Sequence, residues 1–436
     1  MWFGVNPLRW NKPTPVSPRD KNVKRPLHRF PQGKESITSH ASPTNQNAAA
    51  HAAPSAPSTF VVETPVLHLQ PIPPAAPPQP APSPTSTRVL YGHTAGVCAL
   101  LASDDRYMVS ASMDATIRVW SRRSFHCYNI LKGHTDVVCT VALNVTFLVS
   151  GSHDSTVGIW RATEDFRLHR RLSGHAGRVT QVAFVPTSGN MAVSGSEDFT
   201  LRVWQCDVGL CLAVLAVHTS RISCMLMTST AIWSGGADAI VSVWRVPTPC
   251  SGSSTSAVVL ASFRLHSKTV QALAICQGTV LSASNDGTIQ SYDAATLASR
   301  RCIVVGPPLY TLTVLPRLHQ VVASARDGTL RIYNVDGIGR DGRSVQVLPG
   351  VWIPHVQLQA ASEVFLACIA ASTLFVVDAR SRRIVGQCDT PHGGLIHSLA
   401  WLNASTVVTT GADGLIHCAT FDLPEDDSAD SKFPSS

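Results

Sequence analysis

Along most of the chain, runs of five to seven residues alternate apolar and polar positions and break at Gly, Asp, Asn or Ser. Two kinds of run recur. One ends in serine before a turn, as in YMVSAS, FLVSGS, MAVSGS and TVLSAS; the other follows the turn, as in ATIRVW, STVGIW, FTLRVW and GTLRIY. A period of two, carried by β-branched residues and bounded by turn formers, predicts strands joined by tight turns. No stretch holds a helical period long enough for a helix of note, so the pattern predicts an all-β chain.

The runs are organised as a repeat. Aligned on its turn aspartate, the unit recurs at Asp114, Asp154, Asp198, Asp238, Asp286, Asp327 and Asp413, with a degenerate copy near Ala371; the steps are 40, 44, 40, 48, 41, 44 and 42 residues. Each copy holds four strand-like runs, and eight copies fill residues 86–420. Four short strands per repeat, radially arrayed, make antiparallel blades. The expectation is an eight-bladed propeller, with seven blades as the alternative.

Within the repeat, polar residues recur in phase. The sets are His93, Ser110, Asp114 and Trp120; His134, Ser150, Asp154 and Trp160; His175, Ser194, Asp198 and Trp204; and His218, Ser234, Asp238 and Trp244. A fifth copy keeps His266, Ser282 and Asp286 but has Tyr292. Histidine, serine and aspartate are the residue types of a hydrolytic triad. A nucleophile, however, needs one exposed site with its own oxyanion hole, not several equivalent copies. The repetition favours a structural role and argues against an enzyme. In the seventh repeat, alignment places Val351, Ala367, Ala371 and Val377 at these positions, so the polar set is lost together; the sixth has Pro307, Ala323, Asp327 and Tyr333.

On these residues the sequence resembles the WD-repeat β-propellers. Gly92–His93 with Trp120, Gly133–His134 with Trp160 and Gly174–His175 with Trp204 carry the likeness best. The aspartate that follows the tryptophan in the family is replaced by Ser121, Arg161, Gln205 and Arg245. The resemblance implies that each His–Ser–Asp–Trp set forms a hydrogen-bond network within its blade, and that residues 86–91 are the outermost strand of the last blade, closing the ring and removing exposed sheet edges. It also implies that partners bind on the face made by the Gly-His loops and Asp turns. Alignment puts His153, Arg178, Arg221, Lys268, Tyr310 and Arg326 on that face, a mixed basic and aromatic rim. Guanidinium groups suit bidentate pairing with carboxylate or phosphate, so acidic or phosphorylated peptides are the expected ligands.

Composition divides the chain differently. Eighteen of the 29 prolines lie in residues 1–85, among Ala, Ser, Thr and Gln. Such a segment buries too little apolar surface to offset its ordering entropy, so 1–85 is expected to be a disordered tail. Residues 1–90 carry nine Lys/Arg against three Asp/Glu, leaving 26 against 25 in the rest. Most of the net charge of +7 therefore lies in the N-terminal segment, and nucleic acid is an expected partner only through the tail. The stretch RDKNVKRPLHRF (19–30) and several Ser/Thr-Pro pairs leave targeting, docking and phospho-regulation open as its role. Residues 421–436 read as an acidic, disordered C-terminal tail.

The remaining chemistry is sparse. None of the twelve cysteines forms a Cys-x-x-Cys pair, so no metal or cofactor is expected, and several fall in apolar runs where a thiol acts as a small hydrophobe. With no signal peptide and no apolar run approaching a membrane span, a cytoplasmic or nuclear protein without membrane contact is expected. The stretch GIGRDG (337–342) matches a dinucleotide fingerprint but lies between strands, not before a helix; no small-molecule substrate is expected. The leading reading is a non-catalytic scaffold that binds other proteins. An RNA- or ribonucleoprotein-associated assembly factor using the basic tail, and a substrate receptor for a ubiquitin ligase, are the alternatives.

Overall fold

The computed structural model describes residues 82–102, 106–163, 165–246, 258–335, 364–370 and 372–423, and the backbone of 343–346 and 355–358. Residues 1–81 and 424–436 of the two tails, the GIGRDG stretch, Val351 and Ala371 lie outside the described residues.

The alternating runs form eight four-stranded antiparallel sheets, the blades of a propeller. Blade two is typical: Val138–Leu143, Phe147–Ser152, Val157–Arg161 and Arg167–Leu172, paired in chain order from the centre outward. The innermost strands neighbour one another in sequence order, and Val97–Leu101 of blade one lies beside Ile396–Trp401 of blade eight, so the ring is complete. Ser86–Leu90 is the outermost strand of blade eight, pairing antiparallel with Ile416–Thr420. Just ahead of it, the Thr85 amide donates to Thr420 O at 2.7 Å and Pro82 O accepts the Gln387 amide at 3.0 Å.

Strand alternation explains where the core sits. Successive side chains point to opposite faces of a blade, so each blade buries both faces between its neighbours. Eight apolar clusters result among the described residues, one per junction; between blades three and four, for example, Val193, Leu201 and Val203 pack with Ile222, Ile232 and Trp244. Polar side chains on the two inner strands of the blades tie some junctions further. Cys139 Sγ donates to Val179 O at 2.9 Å, Thr180 Oγ1 to Ile222 O at 3.4 Å, Ser223 Oγ to Val270 O, and Thr410 Oγ1 to Val97 O at 3.2 Å across the closure.

Two blades depart from the register read in the sequence. In blade six the innermost strand begins at Leu309, paired with Ala325. Counting back four residues, the step from strand to histidine in the braced blades, reaches Val305 and not Pro307. In blade seven the hairpin between Phe365–Ala370 and Thr373–Asp378 is tight, with Ala370 opposite Thr373. That turn is shorter than the Asp turns elsewhere, such as the one between Gly195 and Leu201. The shortening shifts the register by one, so Cys368, paired with Phe375, stands where serine stands in other blades, not Ala367. A one-residue shift exchanges the faces of a strand, and Cys368 is fully buried.

Candidate functional site

The repeated polar residues meet inside each blade because the loop before the innermost strand folds over the next hairpin. In blade one His93 Nδ1 donates to Asp114 Oδ2 at 2.8 Å, Ser110 Oγ lies 2.8 Å from His93 Nε2, and the Trp120 indole N–H donates to Ser110 Oγ at 2.8 Å. Blade two repeats this at 2.9, 2.8 and 2.9 Å (His134, Ser150, Asp154, Trp160), and blade three at 2.8, 2.7 and 2.7 Å (His175, Ser194, Asp198, Trp204). In blade four His218 reaches Asp238 at 3.0 Å and Ser234 at 2.8 Å, and Trp244 reaches Ser234 at 3.1 Å. In blade five His266 lies 3.2 Å from Asp286 and 2.6 Å from Ser282, and the Tyr292 hydroxyl takes the place of the indole, 3.2 Å from Ser282 Oγ.

These are the bond lengths of a serine triad, but the chemistry is closed. Ser110, Ser150, Ser194, Ser234 and Ser282 are all 0% exposed. In the four tryptophan blades the indole caps the serine oxygen that a nucleophile would have to present. With the aspartate accepting the hydrogen bond from Nδ1–H, Nε2 is the acceptor and the serine hydroxyl donates to it, so every group is paired. Burial lowers the pKa of His93, His134, His175 and His266 below 6.5, against the pull of their aspartates, and keeps the rings neutral. Burial also works against ionisation of Asp114 and Asp198. There the hydrogen bonds from Thr116 and His93, and from Thr200 and His175, outweigh it and hold both carboxyls down to about 2.

Two parts of this brace are absent from the sequence reading. The first is the threonine two residues after the aspartate. Thr116, Thr156, Thr200, Thr288 and Thr329 each donate a hydroxyl to Oδ1 of their aspartate at 2.6–2.7 Å. The signal is the recurring Asp-x-Thr. The second is an eighth-blade copy in which His392 reaches Asp413 at 3.1 Å and Thr409 Oγ1, in place of serine, at 3.0 Å.

The brace fixes what stands beside it. In successive blades the amide before the turn aspartate donates to the carbonyl just ahead of the innermost strand: His153 to Val137, Glu197 to Arg178, Ala237 to Arg221, Asn285 to Thr269 and Arg326 to Pro308, all at 2.9–3.0 Å. His153, Arg178, Arg221, Lys268 and Arg326 therefore lie at the same end of blades two to six, one per blade. Lys268 and Arg326 are exposed, and the other three are half-buried. Pro308 occupies the place equivalent to Arg178; Tyr310 is two residues further on, at the bulge of the innermost strand. The rim also holds Phe199, which follows the blade-three aspartate at φ 71° and is 44% exposed. At the equivalent left-handed positions stand Ala115, Ser155, Ala239, Gly287, Gly328 and Gly414. A bulky side chain there costs about 1–3 kcal/mol.

Among the described residues no group of three or more His, Cys, Asp or Glu has the geometry to hold a metal ion, and no helix is long and apolar enough to cross a membrane. All eleven described cysteines are free thiols, and burial pushes Cys98, Cys206, Cys224, Cys368 and Cys418 up to about 12.

Comparison with known proteins agrees with this geometry. The WD40 family model (WD domain, G-beta repeat) matches residues 84–121, 125–161 and 166–205, the copies that keep both Gly-His and tryptophan. The chain is similar to nuclear distribution protein nudF of Aspergillus niger, 31% identical over 145 residues, covering 32% of this chain and 33% of that protein. It is also similar to cell division control protein 4 of Saccharomyces cerevisiae, 27% identical over 292 residues, covering 56% of this chain and 36% of that protein. The match thus spans about a third of the length of these relatives. The crystal structure of the computationally designed Ika8 protein superposes with a TM-score of 0.66 at 26% identity, covering 76% of this chain and 98% of that one. Eight four-stranded blades, six of them with the hairpin pinned by a buried histidine, define a propeller of repeated polar braces. The chain is an eight-bladed β-propeller, and three of its repeats match the WD40 family model.

Proposed function

We propose that this protein is a non-catalytic interaction scaffold that binds partner proteins or peptides on the face carrying the Asp turns. One observation carries the reading: an almost constant hydrogen-bonded brace lies beneath side chains that change from blade to blade. At the two rim positions stand Val137 and His153, Arg178 and Glu197, Arg221 and Ala237, Thr269 and Asn285, and Pro308 and Arg326. A rigid frame with varied contacts is what selective binding requires, because preorganisation reduces the ordering cost of association. The family is in general non-catalytic, and the buried serines fit that.

Arg178 and Arg221, on adjacent blades, suit an acidic or phosphorylated peptide, and Lys268 and Arg326 extend the positive rim. His153, Tyr310 and Phe199 add aromatic surface, and exposed aromatics beside arginine are the usual anchors of an interface. The cytoplasm or nucleus is the compartment that fits the free thiols.

The test compares partners captured by the full-length chain with those captured by Arg178→Glu/Arg221→Glu and by Phe199→Gly. Capture should be lost in the double variant. Phe199→Gly should weaken it while leaving the melting temperature equal or higher, since glycine relieves the left-handed strain. An unchanged partner set in both variants would remove the rim from consideration.

A further inference from the structure

The junction where the ring closes carries a groove at the opposite end of the blades from the Asp turns. Ser86 and Thr420 pair across the two outer strands of blade eight, and the turn after Thr116–Ser121 of blade one faces them. The groove, about 440 Å³, is lined by Arg88, Arg122, Arg123, Phe125, Asn403 and Thr420, among others, with no carboxylate in its lining. Arg88 and Arg123 are exposed, and neither forms an ion pair with a carboxylate among the described residues. The Arg88 guanidinium lies over the Phe125 ring, 4.7 Å from its centroid. Stacking fixes its plane and leaves its N–H fork open to an anion.

Asn403 adds an unspent amide. Its Oδ1 accepts the Ser405 and Thr406 amides at 2.9 and 2.7 Å, contacts only the oxygen can make, so its NH2 group turns away from that hairpin. Asn144 of blade two makes the same two bonds, to the Thr146 and Phe147 amides at 2.9 and 2.7 Å. There the NH2 group donates across the junction to Gly189 O of blade three at 2.9 Å. The Asn403 NH2 group has no such acceptor among the described residues, and Asn403 lines the groove instead.

Guanidinium and amide donors without an opposing carboxylate select a ligand that only accepts. A phosphate monoester brings close to two negative charges and three acceptor oxygens at neutral pH, where a carboxylate brings one charge and two oxygens. The Phe125 ring is capped by Arg88 and packs against the cluster around Trp120 and Cys418, so a nucleobase or a phosphotyrosine ring meets no open stacking face. Leu402 and Cys418 in the lining are buried, which leaves a membrane surface no apolar anchor there. An extended peptide does find room: Ser86–Leu90 is the edge strand of its sheet, and its Ser86, Thr87 and Arg88 line the groove. At the described end of the chain, Phe421 and Leu423 pack into the junction between blades seven and eight, on the other face of blade eight.

We propose that the closure groove recognises phosphate and that its ligand is a phosphoserine or phosphothreonine peptide of a partner protein. Arg88 and Arg123 pair with the phosphate, and the Asn403 amide donates to it. The site is separate from the Asp-turn face and does not depend on it.

The probe is a fluorescein-labelled synthetic peptide, Gly-Ala-Ala-phosphoserine-Ala-Ala-Gly, titrated by anisotropy with the full-length protein. It should bind roughly tenfold more tightly than the same peptide with serine or glutamate at that position, and Arg88→Gln/Arg123→Gln should lose that factor. Asn403→Ala should weaken binding about threefold. Equal affinity for the three peptides, or binding retained after loss of both arginines, would overturn the phosphate site. Inorganic phosphate that competes as strongly as the unlabelled phosphopeptide would overturn the peptide as ligand. A benzophenone beside the phosphoserine should cross-link within 86–90, 122–125 or 403–406; cross-links confined to the Asp turns would put the probe on that face and overturn the groove. Arg123→Gln alone lies outside the stack with Phe125, so weaker binding with an unchanged melting curve separates recognition from folding.

Discussion

In blade two the Trp160 indole points at Ser150 Oγ, the Ser150 hydroxyl points at His134, and Asp154 gathers the ends. Asp154 accepts from the His134 ring, the Thr135 and Thr156 amides, the Thr156 hydroxyl and the Arg171 guanidinium. Burial opposes its charge, yet the Thr156 hydroxyl, the Thr135 amide and the His134 ring hold its carboxyl well below the usual range. Ser150→Ala leaves an indole N–H and a ring nitrogen unpaired in the core, a loss of about 1–3 kcal/mol. Asp154→Ala strips the acceptor from five hydrogen bonds and should cost more. Denaturant unfolding measures both; two near-neutral variants would mean that the brace contributes little to stability.

At the scale of elements, the closing strand carries a large share of the ring's integrity for its size. Ser86–Leu90 pairs with Ile416–Thr420 over five residues, and Leu90 sits in the cluster that joins blades eight and one. Deleting residues 86–90 leaves the Ile416–Thr420 edge unpaired, with a row of free N–H and C=O groups that invites another chain. The expected result is a melting temperature lower by several degrees and self-association in light scattering; an unaltered monomer with an unaltered melting curve would refute closure by this strand. Blade seven shows the reverse economy. It has lost the Asp turn, and its hairpin is closed by a shorter loop over a ladder of aliphatic residues, Cys368 and Phe375.

For the molecule as a whole, the buried histidines make stability depend on pH. Burial lowers the pKa of His93, His134, His175 and His266 and takes His397 and His417 to about 4. The unfolded chain takes up protons near pH 6.5 that the folded chain refuses until lower pH. Their contribution is therefore complete above 6.5 and lost as pH falls from 6.5 toward 4. Asp114 and Asp198, held at about 2 against an ordinary 3.8, contribute fully above 3.8 and lose that contribution between 3.8 and 2. Melting temperature should thus fall in two stages on acidification, the first beginning near pH 6.5. A flat profile from pH 7 to 4 would contradict neutral buried rings.

Much of this was legible in the chain itself, because a propeller is local. Seven of the eight blades are each built from a contiguous stretch of the repeat, so strand periodicity, turn residues and the in-phase histidine, serine, aspartate and tryptophan state the architecture and the eight copies, and leave residues 86–90 to close the ring. What depends on pairing register was not legible. Tyr310 and Pro307 each stand two residues from the place assigned by spacing, and Ala367 one, since loop length decides which residues face each other across a hairpin. The His392–Thr409–Asp413 set was hidden because threonine replaces serine and the tryptophan is gone. The groove at the closure of the ring, lined by Arg88, Arg123, Asn403 and Thr420 among others, lay furthest from sequence reasoning, because these residues are separated by up to 332 positions and meet only when the ring closes. Repetition within the chain determined the blades; only tertiary closure decided which distant charges share a surface.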